Sequence, residues 1–522
     1  MVSYSKDKRD DMKYVDREYK ENRTYYNSGY DEDNTFLKLD YDFDENQSLE
    51  LMHTYKNTFG YYPIMAPDYS SKLALDEAIS SGIFNPNNNG YDKLSQDDPA
   101  WNRYHRWWYV FNKGSFTKNR TSNYDVKYIF NHDDGIDNYI RIFNNENRYY
   151  MDRNRPKFTD YTQLDYKQYS WTKDQAKGIN FRWGKKLDDT NILYTGLDFT
   201  NSTFSEHSYA SYYPNTGVFK HGTISSIERD TWNAFIQDKM QFNKLTITPG
   251  LRYNYYGKNK GYSISSSDKY TDYDTDSYSR LTMGLFTNYA IDDNQNIYAS
   301  WSQVYNAPYA PDIAKAANEL EAEKGNAYTL GYNGQIGKSS FGANYTLTKF
   351  DNTFGAFSVP SETDPELFES KTTNIASDIQ SIGFNYGYKF DDNWSANLAY
   401  SHAKISIDKK MNTSSSASYE DLRNNLHYNN KYTVSINYDK DKFNTGLDAI
   451  LYTGMDDKYF SNNSFLVLDW HANYEIDENL TAYILVNNLT NECYETKAVA
   501  KEGIGALPME GRNFMVGLNY TF

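Results

Sequence analysis

The chain has 522 residues, 53 of them tyrosine, with a 17% aromatic share, a mean hydropathy of -0.85 and a formal charge of -16. That balance is too aromatic for a disordered chain. It also holds no run of about 18 apolar residues that would make a membrane helix and no Lys/Arg stripe or cluster that would make a nucleic-acid footprint. The single cysteine, Cys493, allows neither an intrachain disulfide nor a cysteine metal cluster, and it reads as a thiol without a role.

Residues 1–23 are densely charged and lack an apolar core segment, so they are not a secretory signal peptide. Residues 1–30 read as the remnant of an outward strand and an extracellular loop, and residues 31–522 as one barrel that the chain enters part-way round. From residue 34 onward, period-two segments follow one another, separated by two alternating kinds of connection. One kind is short and rich in Asp, Asn and Lys: DEN at 44–46, HDDGID at 132–137, KLDD at 186–189, IDDN at 291–294, FDDN at 390–393, DKDK at 439–442 and EIDE at 475–478. Asp, Asn and Gly tolerate the backbone angles of tight reversals, so these are hairpin turns.

The other kind is long, polar and aromatic, at 59–120, 150–175, 200–225, 257–279, 305–325, 351–374, 407–427, 453–464 and 489–510. Short turns on one rim and long loops on the other are the pattern of an outer-membrane barrel, turns periplasmic and loops extracellular. In 465–474, Leu466, Leu468, Trp470, Ala472 and Tyr474 form one row against Asp469, His471 and Asn473. In 443–451, Phe443, Leu447, Ala449 and Leu451 oppose Asn444, Gly446 and Asp448. The final residues GRNFMVGLNYTF put Phe514, Val516, Leu518, Tyr520 and Phe522 on one face of a closing strand that ends at an aromatic carboxy terminus. A soluble sandwich would turn its apolar rows inward; a lipid-facing wall around a wet lumen turns them outward.

The predicted fold is therefore all-β, a transmembrane antiparallel barrel with about nineteen strands from residue 34. Such a barrel has an even strand number with both ends periplasmic. The final strand and NTFLKLDYDF at 34–43 both run inward, so an outward partner for the latter is missing or survives only within 1–30.

Five segments carry a family resemblance. NTFLKLDYDFDENQSLELMHTYKNTFGYYP at 34–63 is similar to the fourth and fifth strands of the carboxy-terminal barrel of TonB-dependent outer-membrane receptors. WSQVYNAPYAPDI at 301–313 resembles the box that usually ends in an aromatic, a basic residue, Ala and Pro, here Tyr305, Asn306, Ala307 and Pro308 with Asn in place of Arg. NELEAEKGNAYTLGY at 318–332 resembles the box that follows, with Ala322 before Glu323 where Pro is common. ILVNNLTNECYE at 484–495 and GIGALPMEGRNFMVGLNYTF at 503–522 resemble the penultimate strand with its exit and the closing hairpin, with Gly511 and Arg512 in the usual places.

The resemblance covers 31–522 and implies a 22-stranded barrel of which about three strands are absent here. It also implies outer-membrane lipid as surroundings, coupling to the TonB complex through an amino-terminal plug that this chain lacks, and a monomeric importer of an iron complex, such as a siderophore or haem, or of cobalamin. On that reading this chain alone performs no coupled transport. No cofactor is implied. The competing class is a plug-free outer-membrane pore or a surface adhesin.

No nucleophile elbow, HExxH or phosphate loop is present, so the chain reads as no enzyme. A hydrolase at the rim would need His, a carboxylate and a nucleophile brought together, and the eight histidines are scattered. His207 and His221 share an expected extracellular loop, either as imidazole ligands for a metal or haem iron or as solvated surface residues. Haem receptors of the family it resembles usually carry a His between the boxes that correspond to 301–313 and 318–332; none stands there, which lowers the haem reading, while Tyr, which can also ligate haem iron, keeps it open. Tyr305, Asn306 and Tyr309 are the ligand-binding candidates of the mouth; together with Tyr209, Tyr212, Tyr213, Tyr262, Tyr270 and Tyr273 the tyrosines suit stacking on a flat aromatic or catecholate ligand, or else belong to interfacial girdles. Asp456 and Asp457 are either an outer-rim calcium pair or simply hydrated.

Overall fold

The computed structural model describes residues 1–15, 22–25, 28–61, 114–133, 136–157, 160–309, 312–313, 316, 319–360, 368–407, 427–456, 460, 462–498 and 506–520. Among them, 23 strands form one antiparallel sheet, and two small two-stranded sheets, Met12–Val15 with Asn22–Tyr25 and Glu495–Ala498 with Ala506–Pro508, lie on its rim. Three of the 23 are short strands above the wall: Val218–Lys220, Lys260–Ile264 and Tyr270–Asp274. Of the twenty long ones left, nineteen begin at or after Tyr30, and the twentieth, Val2–Arg9, pairs with Tyr30–Asp44 from Val2↔Leu37 to Arg9↔Tyr30. No helix among the described residues is long and apolar enough to cross a membrane; the strands are what could do so.

Each long strand pairs with its sequence neighbour, and the short Asp-rich connections fall where the hairpins reverse. A side-chain oxygen folds these turns. Asp44, Asp292 and Asp477 each accept the backbone N–H two residues on, and Asp391 accepts those of Asn393 and Trp394. Asp188 accepts the N–H groups of Thr190 and Asn191 at 2.7 and 2.8 Å, and these bonds, with those of the two side chains, pull its carboxyl down to about 2. Two reversals lay outside the seven expected turns: Asn243, at φ 54°, and Gly337, at φ 57°, sit in left-handed backbone between Phe242 and Leu245 and between Ile336 and Ser339.

The apolar rows face out, away from any partner. Phe514, Val516 and Leu518 are 76%, 71% and 67% exposed, and Tyr520 is exposed beside them; Phe522 lies outside the described residues. Leu197, Trp232, Ile236, Leu251, Leu281 and Met283 continue the band on neighbouring strands. The other face is polar but closely fitted, and small residues make room for rings. Tyr298 lies across Gly331 and Tyr483 across Gly517, each within 2.4 Å of where a Cβ would sit.

Two boundaries differ from expectation. The segments 150–175, 200–225 and 351–374 are largely strand rather than loop, within Ile136–Lys157, Asp160–Lys186, Asn191–Tyr213, Thr223–Phe242, Ser339–Pro360 and Phe368–Lys389. Above the apolar band both faces of a strand meet water, so the alternation fades while the backbone ladder continues. In addition, Phe465 and Val467, opposite the row of Leu466, are buried, Phe465 with Met455 and Phe460 in an apolar cluster capped by Tyr428, Tyr452 and Tyr494, so the polar face turns apolar near that rim.

Candidate functional site

The rim opposite the short turns carries the richest constellation. The strand Gln295–Asn306 leaves its ladder with Tyr278–Asp292 above Gly284↔Ser302, where the Gln303 side chain, not its backbone, accepts the Met283 N–H at 3.1 Å. Above that irregularity Tyr305 lies 6.0 Å from the Tyr256 ring and 5.7 Å from the Arg280 guanidinium carbon. Tyr256 and Arg280 alternate with the apolar row of Tyr253, Leu251 and Leu281 and so belong to the polar face, whereas the register of Gln295–Asn306 with Glu323–Ile336 puts Tyr305 on the face of Ile297, its ring meeting theirs at the rim beyond the last pair of the ladder, Gly284↔Ser302.

Ala307 and Pro308 are fully buried at the exit, and Tyr309 reaches back across the polar face. Its hydroxyl donates to Asp174 at 2.6 Å, its ring packs on Phe204 and Ile227, and burial raises its phenol, with the Asp174 carboxylate adding to the shift. Arg229, buried, lies 5.0 Å over Tyr256 and 5.5 Å over Tyr309 and donates to the Pro308 carbonyl. The guanidinium absent at Asn306 is thus present, from another strand. Asn306 itself is exposed.

Beneath this mouth a polar relay crosses the same face. Arg141 donates to Asp125 at 2.7 and 2.8 Å and to Asn180 at 3.2 Å. Asn180 and Arg182 both donate to Asp198 at 2.7 Å, with Arg252 at 3.7 Å on its other oxygen. Beside the mouth, a cavity of about 360 Å³ between the Tyr270–Asp274 arm and the segment from Pro308 to Leu320 is lined by Asp272, Asp274, Asp276 and Glu319. Its acids suit cations rather than anions, so it is chemically distinct from the Tyr305 and Arg280 group.

The histidines fall elsewhere. An unbroken register from Asn191 to Ser208 puts His207 on the face of Leu197, the apolar face, away from Tyr305 and Tyr309. Burial lowers its pKa, and the nearby His221 lowers it further; its Nε2 has no partner among the described residues. His221 faces the Gly222 carbonyl and Asp268, both at 2.8 Å, which raise its pKa. No group of three His, Cys, Asp or Glu residues that could hold a metal occurs among the described residues, and Asp457 lies outside them. Tyr262 and Tyr270 stack on the extension arm at 6.0 Å, apart from the mouth.

Sequence reasoning reached Tyr305 and Tyr309 but missed Arg229, Tyr256 and Arg280. Alternation places all three on the polar face, yet nothing local marks which polar-face residues meet a loop far along the chain.

A large antiparallel sheet, greasy outside and charged within, with short turns on one rim and long strand extensions on the other, defines a large outer-membrane β-barrel. Residues 70–489 match the family described as TonB dependent receptor-like, beta-barrel, and the chain belongs to it. Its members are receptors and transporters of the Gram-negative outer membrane, not enzymes. The chain is 22% identical over 323 residues to the ferric-pyoverdine BN7/BN8 receptor of Pseudomonas putida, and 22% identical over 310 residues to the ferric-pyoverdine 358 receptor of the same organism. These matches cover 58% and 53% of this chain but only 36% and 37% of those receptors. Among solved structures, the copper transporter OprC superposes with a TM-score of 0.73 at 12% identity, over 100% of this chain and 75% of that one. The FrpB iron transporter of Neisseria meningitidis does so with 0.69 at 15%, over 100% and 77%.

Proposed function

We propose that the sheet closes into the wall and part of the ligand-binding mouth of a TonB-coupled importer of an iron complex carrying flat aromatic or catecholate groups. The supporting observation is the rim cluster of Tyr305, Tyr256 and Arg280: two phenol rings and a guanidinium converge on one spot. Rings of that kind stack on planar ligands, and a guanidinium attracts the negative charge that such complexes carry. The two curated relatives are named for ferric-pyoverdine, in line with this reading. Haem held by His207 fits less well, because that imidazole lies on the lipid-side face.

Uptake of radioactive iron by iron-starved cells tests it, with the receptor gene intact, deleted, or carrying Tyr305→Ala or Arg280→Gln. Each substitution is expected to weaken binding of an aromatic ferric complex by about tenfold, the equivalent of roughly 1–2 kcal/mol of stacking or cation–π contact. Uptake that persists without TonB would identify a passive pore instead. Equal uptake with and without the gene, for every iron complex offered, would remove the assignment.

A further inference from the structure

The chain's formal charge is -16, yet the sheet register gathers arginines on one sector of its polar face. Arg141, Asn180, Asp198, Asn233, Asn254 and Arg280 stand in one row across six adjacent strands, from Ile136–Lys157 to Tyr278–Asp292, each directly opposite the next. They alternate with the exposed apolar residues Ile179, Leu197, Trp232, Leu251 and Leu281, and so lie on the face that turns to the lumen in the proposed barrel. The row climbs toward the mouth. Arg141 stands five residues from the short-turn end of its strand at Ile136, Asp198 seven from Asn191, Asn254 nine from Leu245 and Arg280 twelve from Asp292.

From Gly178 to Gly184, Ile192 to Ser202, Arg229 to Phe235, Gly250 to Tyr256 and Tyr278 to Gly284, this face holds four arginines, at 182, 229, 252 and 280, and one carboxylate, Asp198. Arg229 is already covered by two phenol rings. The other three converge: Arg182 and Arg252 approach the two oxygens of Asp198 at 2.7 and 3.7 Å, and Arg280 is the diagonal neighbour of Arg252 on the next strand, close enough to share one ligand with it. The Arg182 guanidinium lies 5.0 Å over the Phe235 ring, and a Cβ at Gly196 would strike both, so the glycine seats the pair. Arg252 is held through Nε by the Asn254 amide oxygen at 3.1 Å with its side chain 46% exposed, and Arg280 makes no ion pair among the described residues. One carboxylate among three guanidinium groups leaves the patch positive, and an anion relieves their mutual repulsion.

We propose that Arg182, Arg252 and Arg280 form a second binding station below the mouth, which takes the carboxylate or catecholate oxygens of a multiply negative iron complex. Guanidinium groups hold such oxygens in pairs. Through Arg280 the patch is continuous with the cluster at the mouth, so an anion leaving that cluster meets its next partners directly below. An acidic protein surface would have no use for that continuity. That the anion is imported cargo rests on the import reading above; the anion site itself does not.

Asn233 stands between Asp198 and Asn254 in the row, and its amide oxygen has no partner among the described residues, so a cysteine there reports on the patch without breaking a bond to that atom. Receptor carrying Asn233→Cys is extracted from outer membranes into a neutral detergent and treated with a negatively or a positively charged methanethiosulfonate, each rate taken relative to that with a small free thiol. The parent, whose single thiol, Cys493, is buried, gives the background. The negative reagent is expected to react about tenfold faster than the positive one, with a smaller advantage as salt is raised. Adding Arg182→Gln and Arg252→Gln is expected to bring the two rates together. A ferric tris-catecholate, a trianion, is expected to slow the reaction, and a neutral ferric tris-hydroxamate at the same concentration is not. Equal rates for the two reagents, or equal protection by the two complexes, would overturn the proposal even if the arginine variant fails to fold. A charge preference without protection by the trianion would assign the arginines to a protein surface and overturn the cargo station. No uptake is measured, so failure here leaves the import reading standing, and failed uptake leaves the anion site standing.

Discussion

Arg229 shows how a single side chain shapes the mouth. A guanidinium withdrawn from water needs acceptors and aromatic faces matched to it; here two phenol rings cover it and the Pro308 carbonyl takes one N–H. It therefore acts as a pin that fixes where the loop leaves the wall, and on the proposed reading Tyr305, less enclosed, meets the ligand. Arg229→Met keeps the bulk and removes the donors, leaving that carbonyl unsatisfied at a cost of about 1–3 kcal/mol. Amide exchange at Tyr309, Asp312 and Ile313 should then quicken about tenfold or more, with the relay around Asp198 unchanged; unaltered exchange would mean that the loop holds itself. His221 makes a second, pH-dependent prediction. Its pKa is raised in the folded protein by the Gly222 carbonyl and by Asp268, so the contribution of this contact is complete below the ordinary histidine value near 6.5 and fades as pH rises through the higher folded value. The imidazole resonance of His221 should titrate above 6.5 by nuclear magnetic resonance and fall toward it in Asp268→Asn; a titration at or below 6.5 would show that the contact does not form. The residues of the site were half legible. Tyr305 and Tyr309 stood in a recognisable box, whereas the bond from Tyr309 to Asp174 joins positions 135 residues apart, and only the register of six successive strands brings them together.

At the scale of the strand, the turns were the legible part because their chemistry is local. An Asp side chain that folds back on the next N–H groups needs no tertiary partner, so Asp44, Asp188, Asp292, Asp391 and Asp477 could be read directly. Strand length was not legible above the membrane, because water on both faces erases the period-two signal while the ladder continues. This gives a test along one strand. Thr203 and Ser205 lie on the same face as Leu197 within a single unbroken register, so all three point outward, but only Leu197 belongs to the apolar band. Single cysteines at 203 and 205 should react with a membrane-impermeant maleimide on intact cells, and one at 197 should not. Equal labelling at all three would mean that the band around Leu197 does not face lipid.

At the scale of the molecule, two strand edges decide whether the wall is sealed. Val2–Arg9 pairs only with Tyr30–Asp44, and Asn513–Tyr520 only with Leu480–Asn487; among the described residues no backbone pairing joins these two edges to each other. They do meet at the extracellular rim, where Gly511 donates its N–H to the Lys13 carbonyl at 3.0 Å and Arg9 lies 3.5 Å from Glu510. The exit turn braces that rim: Asn488, at φ 51°, donates to the carbonyls of Glu492 and Glu510 and accepts the Glu492 N–H, and Asn491 accepts the Arg512 N–H. Below the rim Phe514, Val516 and Leu518 of the last strand and Val2 of the first are among the most exposed apolar side chains, and no described strand pairs with either on its open side. An unpaired peptide group in hydrocarbon costs several kcal/mol, and a strand presents about one such group for every residue of an open edge. A lipid-embedded sheet cannot carry that cost along both edges, so in the membrane each must find a strand, whether the opposite edge or another. The amides of Asn513–Tyr520 that point away from Leu480–Asn487 should therefore exchange with solvent as slowly as those that point toward it. Fast exchange confined to the seam-facing alternate residues would show an open edge and would remove the sealed cylinder on which uptake through a gated lumen depends.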